Sequence, residues 1–267
     1  MILASASPLN ITLALGAAAA YTVSAIGAER LGAPVARAAV RLGWLLHGAV
    51  LAWSLFGAAP RFGFAPALSV TAWLVAAVYA IESQVYPLLQ TRWALSTLGA
   101  FVVLLALVFP GNLLHANASP WLPLHWALGI ASYGLFGAAV VHAWFMTRAE
   151  ERIRLAADAD SGMPLLTMER LTFRFVAAGF LLLSATLLLG ILFESQLYGT
   201  ATPLKWDHKT AFSLLSWFTF AALIVGRARF GWRGKRAVRV LYIGAGLLLL
   251  AYVGSRFVME IVLGRAP

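Results

Sequence analysis

Long apolar runs separated by short polar connections make up most of this 267-residue chain. Eight of the runs are about 18 to 25 residues long, the length with which an α-helix crosses roughly 30 Å of hydrocarbon. They are 10–28, 42–59, 66–89, 93–110, 121–147, 171–193, 210–226 and 237–259. The pattern predicts an all-α, polytopic membrane protein with about eight transmembrane helices.

The first run has the length of a signal peptide but lacks the basic segment that precedes the apolar part of such a peptide. Its first charged residue is Glu29, which follows the run. We therefore interpret it as a retained membrane span. No internal repeat and no long linker divides the chain, so we predict one integral membrane domain over residues 1–267.

Composition supports a membrane environment, because 61% of the residues are apolar, only 11% are charged and the mean hydropathy is +0.84. A soluble domain carries roughly a quarter charged residues. The net charge of +10 lies in short clusters between apolar runs, which indicates membrane orientation and lipid contact rather than nucleic-acid binding. The absence of cysteine excludes disulfides, thiolate metal sites and a role in reducing thiols.

The basic residues are divided unequally between the two sides of the predicted membrane. The connections after the first, third, fifth and seventh runs hold fifteen Lys and Arg, and the opposite side with both tails holds five. Cytoplasmic loops are enriched in Lys and Arg. We therefore predict a multi-pass protein of the bacterial inner (cytoplasmic) membrane with both termini in the periplasm.

Five histidines fall at two levels of the predicted bundle. His115, His125 and His208 lie on the outer side, and His47 and His142 each lie about five residues, or ~8 Å, from the inner end of a span. A neutral imidazole is a good axial ligand for heme iron, but an intramembrane histidine also hydrogen-bonds neighbouring helices. The spacing therefore leaves heme ligation by an inner pair and helix-to-helix bonding both open.

The motif KWDHKT, residues 205–210, places four ionisable side chains directly before an uncharged run. Asp207 is suited to accept from the amides of the first helical turn, where negative charge is favourable. A functional interpretation adds Lys205 or Lys209 pairing with a heme propionate while His208 approaches the iron. The two interpretations are compatible.

Tryptophans mark several predicted span ends. Trp93 and Trp121 stand where an aromatic belt is expected in any membrane protein. Trp206 and Trp217 flank the charged motif, where they could belong to the belt or stack on a planar ligand. On the helix that begins near His125, Gly129 lies one turn further on, which leaves room for a flat macrocycle or for a closely packed helix.

The segment WDHKTAFSLLSWFTFAALIVGRARFGWRGKRA resembles the WDPKE-containing segment of the cytochrome c assembly family, heme-handling proteins that include CcsA and ResC. The residues that match are Trp206, Asp207, Lys209, Ser216, Trp217 and Gly231-Trp232-Arg233-Gly234. LHWALGIASYGLFGAAVVHAW is similar to the outer histidine helix of the family, with His125 at the histidine. The resemblance covers residues 66–267.

The chain is most similar to the YpjD and HemX branch, by its size, its eight spans and the blocks PLLTMERL and GWRGKRA. It also departs from CcsA proper. Val225 and Leu263 stand where that pattern has an intramembrane and a second outer histidine, and His208 replaces the proline of the motif. Retention of His125 alone argues against full cytochrome c synthetase activity.

The resemblance implies a heme-binding or heme-handling protein that works with cytochrome c maturation partners. The alternative is a non-catalytic regulatory or structural membrane subunit that has lost heme. A transporter is the weaker interpretation, because Glu82 and the histidines are the polar groups clearly within the spans, and no nucleophile is spaced for hydrolysis. The candidate heme-binding residues are His125, His208, Trp206, Asp207, Lys209, Trp217, His47 and His142, with His125, His47 and His142 as candidate iron ligands.

The charge asymmetry leads to a direct test of topology. We expect reporter fusions after Arg152 and after Arg233 to be active as cytoplasmic reporters, and a fusion after Tyr198 to be active as a periplasmic one. A periplasmic signal at Arg233 would contradict the eight-span arrangement.

Overall fold

Helices account for nearly all of the structure, a computed structural model that describes residues 7–27, 32–57, 60–85, 92–113, 121–154, 165–193 and 207–264. The helices in these ranges are α1 (Pro8–Gly27), α2 (Ala33–Phe56), α3 (Phe64–Val85), α4 (Arg92–Val108), α5 (Trp121–Arg154), α6 (Leu165–Leu192), α7 (His208–Phe230) and α8 (Gly234–Leu249). Helix α8 continues through two π-helical segments, Leu250–Gly254 and Val258–Val262. A short α-helical segment, Ser255–Phe257, lies between them. The prediction of an all-α protein is confirmed.

Seven of these helices are long and apolar enough to cross a membrane, and α4 contains a shorter apolar stretch, Ala94–Val108. The chain is therefore a multi-pass membrane protein, as predicted. Several helices extend beyond the predicted spans, since α2 begins at Ala33 and α6 at Leu165. Hydropathy locates only the hydrocarbon-embedded part of a helix, so the polar turns outside it were missed. The orientation of the termini stays a prediction.

The described residues form two compact units. Within the described ranges, the first comprises the residues up to 85, 92–113 and 256–264, and the second comprises 121–154, 165–193 and 207–255. In the first unit, a two-residue strand β1 (Arg61–Phe62) pairs antiparallel with β2 (Asn112–Leu113). This pairing joins the connection after α2 to the connection after α4. The prediction of one domain over residues 1–267 stays a prediction.

The core of the first unit is built around the ring of Tyr21, which is buried among α1, α2 and α4. A Cβ atom on Gly43 would lie 3.0 Å from that ring, and one on Gly99 would lie 2.9 Å from it. A methyl group at either position would press on the ring, so both glycines allow the ring to pack closely against their helices. Small residues at such positions let the backbones of membrane helices approach closely.

The core of the second unit repeats this arrangement with two rings. Phe136 of α5 and Phe220 of α7 stack with centroids 3.7 Å apart and planes 5° apart. A Cβ atom on Gly179 would lie 3.1 Å from Phe136, and one on Gly244 would lie 2.9 Å from Phe220. The stacked rings thus fill the space between four helices, with a glycine on each outer side.

Helix α7 ends in a turn that accounts for the sequence GWRG. Gly231 adopts a left-handed conformation with φ 63°, and its amide donates to the carbonyls of Arg227 and Gly226. Glycine is favoured there because it lacks the Cβ atom that makes positive φ costly. The indole of Trp232 folds back onto Gly226, where any Cβ atom would collide with it.

An ion pair joins α6 to α7 near this turn. Glu169 Oε1 accepts from Arg227 Nη1 at 2.6 Å and lies 3.8 Å from Arg233 Nε. The guanidinium of Arg227 also lies 3.6 Å from the ring centroid of Phe173. The blocks PLLTMERL and GWRGKRA therefore meet in space, since Glu169 belongs to the first and Arg233 to the second.

The close contact between Gly244 and Phe220 generates a prediction for stability. We expect Gly244→Ala to lower the free energy of unfolding by about 1–3 kcal/mol, because the added methyl group overpacks the core. Thermal unfolding in detergent, followed by circular dichroism, measures the change.

Gly246→Ala is the matched control, because Gly246 lies on the same helix and has nothing within 4 Å of the added Cβ atom. We expect it to leave stability unchanged or to raise it by up to ~1 kcal/mol through helix propensity. Equal midpoints for the two variants would contradict the packing described for the second unit.

Candidate functional site

One end of the second unit gathers the residues that the outer motifs single out. The ring of Trp121 stacks on Phe193 at 4.3 Å, so the start of α5 lies beside the end of α6. The contact between Trp217 and Ser184 and the pair of Arg227 and Glu169 show that α7 runs antiparallel to α6. The starts of α5 and α7 therefore flank the end of α6 at one end of this unit.

His125 lies in the second turn of α5 and is half-buried against α6. Its ring lies beside the backbone of Thr186, and a Cβ atom on Gly190 would lie 3.4 Å from its Cε1 and 4.0 Å from its Nδ1. Its Nδ1 is buried and has no hydrogen-bond partner among the described residues. The imidazole is thus packed against α6 with a buried nitrogen that no described residue satisfies.

The surroundings of His125 also decide between two interpretations of Gly129. A Cβ atom on Gly129 would lie 3.6 Å from the methyl group of Thr186. The glycine therefore faces α6, and the hydroxyl of Ser132 donates to its carbonyl at 2.8 Å. Gly129, one turn beyond the histidine, therefore allows α5 to pack against α6 in this structure.

The start of α7 confirms the capping interpretation of the charged motif. Asp207 Oδ1 accepts from the amide of Thr210 at 2.9 Å and from its hydroxyl at 3.0 Å. Such a cap stabilises a helix by about 1 kcal/mol. His208 follows at the first helical position and is exposed, and Lys209 is partly exposed. Their roles toward a cofactor stay predictions.

Three residues of the outer sequence motifs lie outside the described residues. They are His115, Lys205 and Trp206. The proposed contacts of Trp206 with a planar ligand and of Lys205 with a propionate therefore stay predictions.

Trp217 lies deeper in the second unit than the charged motif. It is ten residues beyond Asp207, about 15 Å along the helix. Its indole stacks on Phe180 at 5.3 Å, and its Nε1 donates to the hydroxyl of Ser184 at 2.8 Å. The structure therefore gives Trp217 a packing role between α6 and α7, and its cofactor role stays a prediction.

His47 forms a buried hydrogen-bond chain in the first unit. Its Nδ1 lies 3.3 Å from the hydroxyl of Tyr21, and its Nε2 lies 2.8 Å from the hydroxyl of Ser69. The chain connects α1, α2 and α3, and the imidazole is fully buried. Because both ring nitrogens have partners, ligation of iron by His47 would require one of these bonds to open.

His142 is buried in the second unit, where its ring lies 5.3 Å from that of Phe175. It shares the unbroken helix α5 with His125, 17 residues away, so the two are separated by about 25 Å along the axis and cannot share an iron. His47 belongs to the first unit, and the predicted pairing of His47 with His142 stays a prediction.

Sequence analysis missed the residues that hold the candidate ligands. Thr186 and Gly190 face His125, while Tyr21 and Ser69 hold His47. One signal was present in α6, where Gly179, Thr186 and Gly190 recur at spacings of seven and four residues and so define one face of small side chains. The partners of His47 come from other helices and had no local signal.

The chain is similar to a known protein family over most of its length. The family model described as Cytochrome C assembly protein matches residues 38–263, and thus begins before residue 66. An uncharacterized 28.8 kDa protein of Azospirillum brasilense is 31% identical over 227 residues, which cover 80% of this chain and 82% of that protein. No solved structure matches the chain.

Two further relatives carry names. The inner membrane protein YpjD of Escherichia coli is 30% identical over 151 residues, which cover 55% of this chain and 56% of YpjD. The cytochrome c biogenesis protein CcsA of Prochlorococcus marinus is 25% identical over 203 residues, which cover 64% of each chain. The aligned region thus spans little more than half of YpjD. The family match covers most of this chain, and the protein belongs to the cytochrome c assembly family, near YpjD.

Proposed function

We propose that this protein binds heme and handles it during cytochrome c assembly in the bacterial inner membrane. The observation that carries the proposal is His125, whose buried Nδ1 has no hydrogen-bond partner among the described residues while its ring is fixed against α6. A buried polar atom without a partner is costly, so such an atom at a family motif position supports its assignment as a ligand atom. The relative YpjD is named an inner membrane protein, which supports the proposed location. The relative CcsA is named a cytochrome c biogenesis protein, which supports the proposed role in cytochrome c assembly.

The chemistry of His125 fits an iron ligand. A neutral imidazole carries one hydrogen and one lone pair on its two ring nitrogens. With the lone pair on Nδ1, which has no hydrogen-bond partner among the described residues, His125 would have the neutral form that binds iron. Heme supplies an iron that accepts such a lone pair and propionates that accept hydrogen bonds from cations.

The start of α7 provides groups suited to the propionates. Asp207 is engaged in the cap, and Lys209 and His208 occupy the first helical turn. A helix N-terminus also favours negative charge. Lys209 and His208, with Trp206 and Lys205 of the same motif, would therefore hold the acidic edge of the cofactor near the end of the unit that carries His125.

A second candidate function is a regulatory or structural membrane subunit without heme. Two observations favour it. Val225 and Leu263, which replace histidines of the CcsA pattern, are 52% and 50% exposed. The two nitrogens of His47 are also both engaged with protein groups. Under this alternative, the maturation partners are bound without transfer of heme.

We predict that His125→Gln lowers the heme content of the purified protein at least about tenfold, which corresponds to a loss of about 1.4 kcal/mol or more in binding. The amide of Gln is polar and of similar length, so it can still form hydrogen bonds at this position, but it is a poor iron ligand. Heme content is measured by pyridine hemochrome absorbance after matched purification, with a heme precursor supplied during growth.

His125→Ala and His208→Ala complete the series. We expect His125→Ala to lose heme as His125→Gln does, and His208→Ala to lose less, because His208 is exposed. Added imidazole should restore a Soret band to His125→Ala by occupying the vacated position. Equal heme content in His125→Gln and the parent protein would rule out His125 as the ligand. A parent protein without heme would favour the regulatory subunit.

A further inference from the structure

The region around the turn between α7 and α8 carries a high net positive charge. Residues 227–239 contain six Lys and Arg and no Asp or Glu. The six cations are Arg227, Arg229, Arg233, Lys235, Arg236 and Arg239. This stretch belongs wholly to the second unit, and we name it the basic turn.

Only part of this charge is compensated within the protein. Glu169 binds Arg227 at 2.6 Å and lies 3.8 Å from Arg233. The guanidinium of Arg236 lies 4.2 Å from the ring centroid of Trp232. Arg229, Lys235 and Arg239 are exposed and form no ion pair among the described residues.

Neighbouring helices add to the positive charge at this end of the second unit. Helix α6 starts here, and its Arg170 and Arg174 are exposed. Exposed Arg148 lies near the end of α5, which also carries Glu150 and Glu151. The cations therefore outnumber the acids, and an anion that approaches the basic turn meets a favourable field.

An apolar stripe follows the cations of the basic turn on the same face of α8. It is formed by Tyr242, Gly246 and Leu249. Lys235, Arg239, Tyr242, Gly246 and Leu249 follow one another at offsets of 4, 7, 11 and 14 residues, so they share one helix face. All five are exposed, Tyr242 by 38% and Leu249 by 45%. The face thus changes from cationic to apolar within about two turns.

A second apolar group stands at the level of the cations. Phe230, the last residue of α7, is 73% exposed directly beside Arg229. A soluble polyanion would gain nothing from Phe230 or from the stripe below. A ligand that satisfies the whole surface has an anionic group at one end and hydrocarbon at the other.

We propose that the basic turn and the stripe on α8 form a binding site for an anionic phospholipid. Lys235 and Arg239 would pair with the phosphate, and Tyr242 and Leu249 would contact an acyl chain. A zwitterionic phospholipid fits less well, because its second charged group is a cation that the basic turn repels. The proposal does not depend on heme binding.

The test compares two lipids with the same chains. The purified protein in neutral detergent is titrated with dioleoyl phosphatidylglycerol or dioleoyl phosphatidylcholine, and bound lipid is counted by native mass spectrometry. A Lys or Arg near an anionic lipid surface contributes about 1 kcal/mol. Lys235→Gln/Arg239→Gln should therefore weaken phosphatidylglycerol binding about 30-fold and leave phosphatidylcholine binding unchanged.

Arg37→Gln/Arg41→Gln is the matched control, because these exposed cations are also four residues apart near the start of a helix, α2. We expect this variant to bind phosphatidylglycerol as the parent does. The charge-preserving variant Lys235→Arg/Arg239→Lys should also retain binding, which separates loss of charge from loss of folding. A thermal transition equal to that of the parent in phosphatidylcholine checks that each variant is folded.

Three results would overturn the proposal. The first is equal binding of the two lipids by the parent protein. The second is an equal loss of binding in Arg37→Gln/Arg41→Gln and in Lys235→Gln/Arg239→Gln, which would show a general surface potential. The third is displacement of the lipid by millimolar inorganic phosphate or by a short RNA, which would identify a soluble anion as the ligand.

Discussion

Close contact between glycines and aromatic rings is the interaction on which both units depend. Helices surrounded by lipid gain little from burying apolar surface against one another, so their association relies on van der Waals contact and hydrogen bonds. Gly43 and Gly99 admit Tyr21 in the first unit. Gly179 and Gly244 enclose the stacked pair of Phe136 and Phe220 in the second. In the second unit, these contacts fix the rotation of each helix about its axis and thereby decide which side chains face the candidate site.

The same lipid environment makes the hydrogen bonds of buried polar groups informative. Ser216 donates to the carbonyl of Gly244, and Tyr133 donates to that of Leu248. His47 has partners at both nitrogens. Against this background, the Nδ1 of His125 is one of a few buried side-chain atoms without a hydrogen-bond partner in the described part of the chain. It belongs to the histidine of a family motif, which is why we place the candidate site at His125 rather than at the more deeply buried His47.

Much of the fold could be predicted because hydropathy and helix-start signals are local properties of the chain. The eight apolar segments and the cap formed by Asp207 follow from residues that are neighbours in sequence. The pair of Glu169 and Arg227 spans 58 residues, and the packing of His125 against Gly190 also joins two helices. Hydropathy shows which segments enter the membrane but not which faces meet, so these contacts and the division into two units could not be predicted.

The cap at Asp207 changes what the family motif means. With Asp207 as N-cap, position 208 is the first helical residue and position 210 the third. The motif WDPKE then has proline where its missing amide hydrogen costs nothing and glutamate where a capping box requires it. His208 and Thr210 replace both without disturbing the helix start, since the Thr210 hydroxyl also bonds Asp207. Formation of a helix start therefore accounts for the residue types at positions 207, 208 and 210 without a cofactor. The presence of this motif in a chain indicates a capped membrane helix and is not by itself evidence for heme binding.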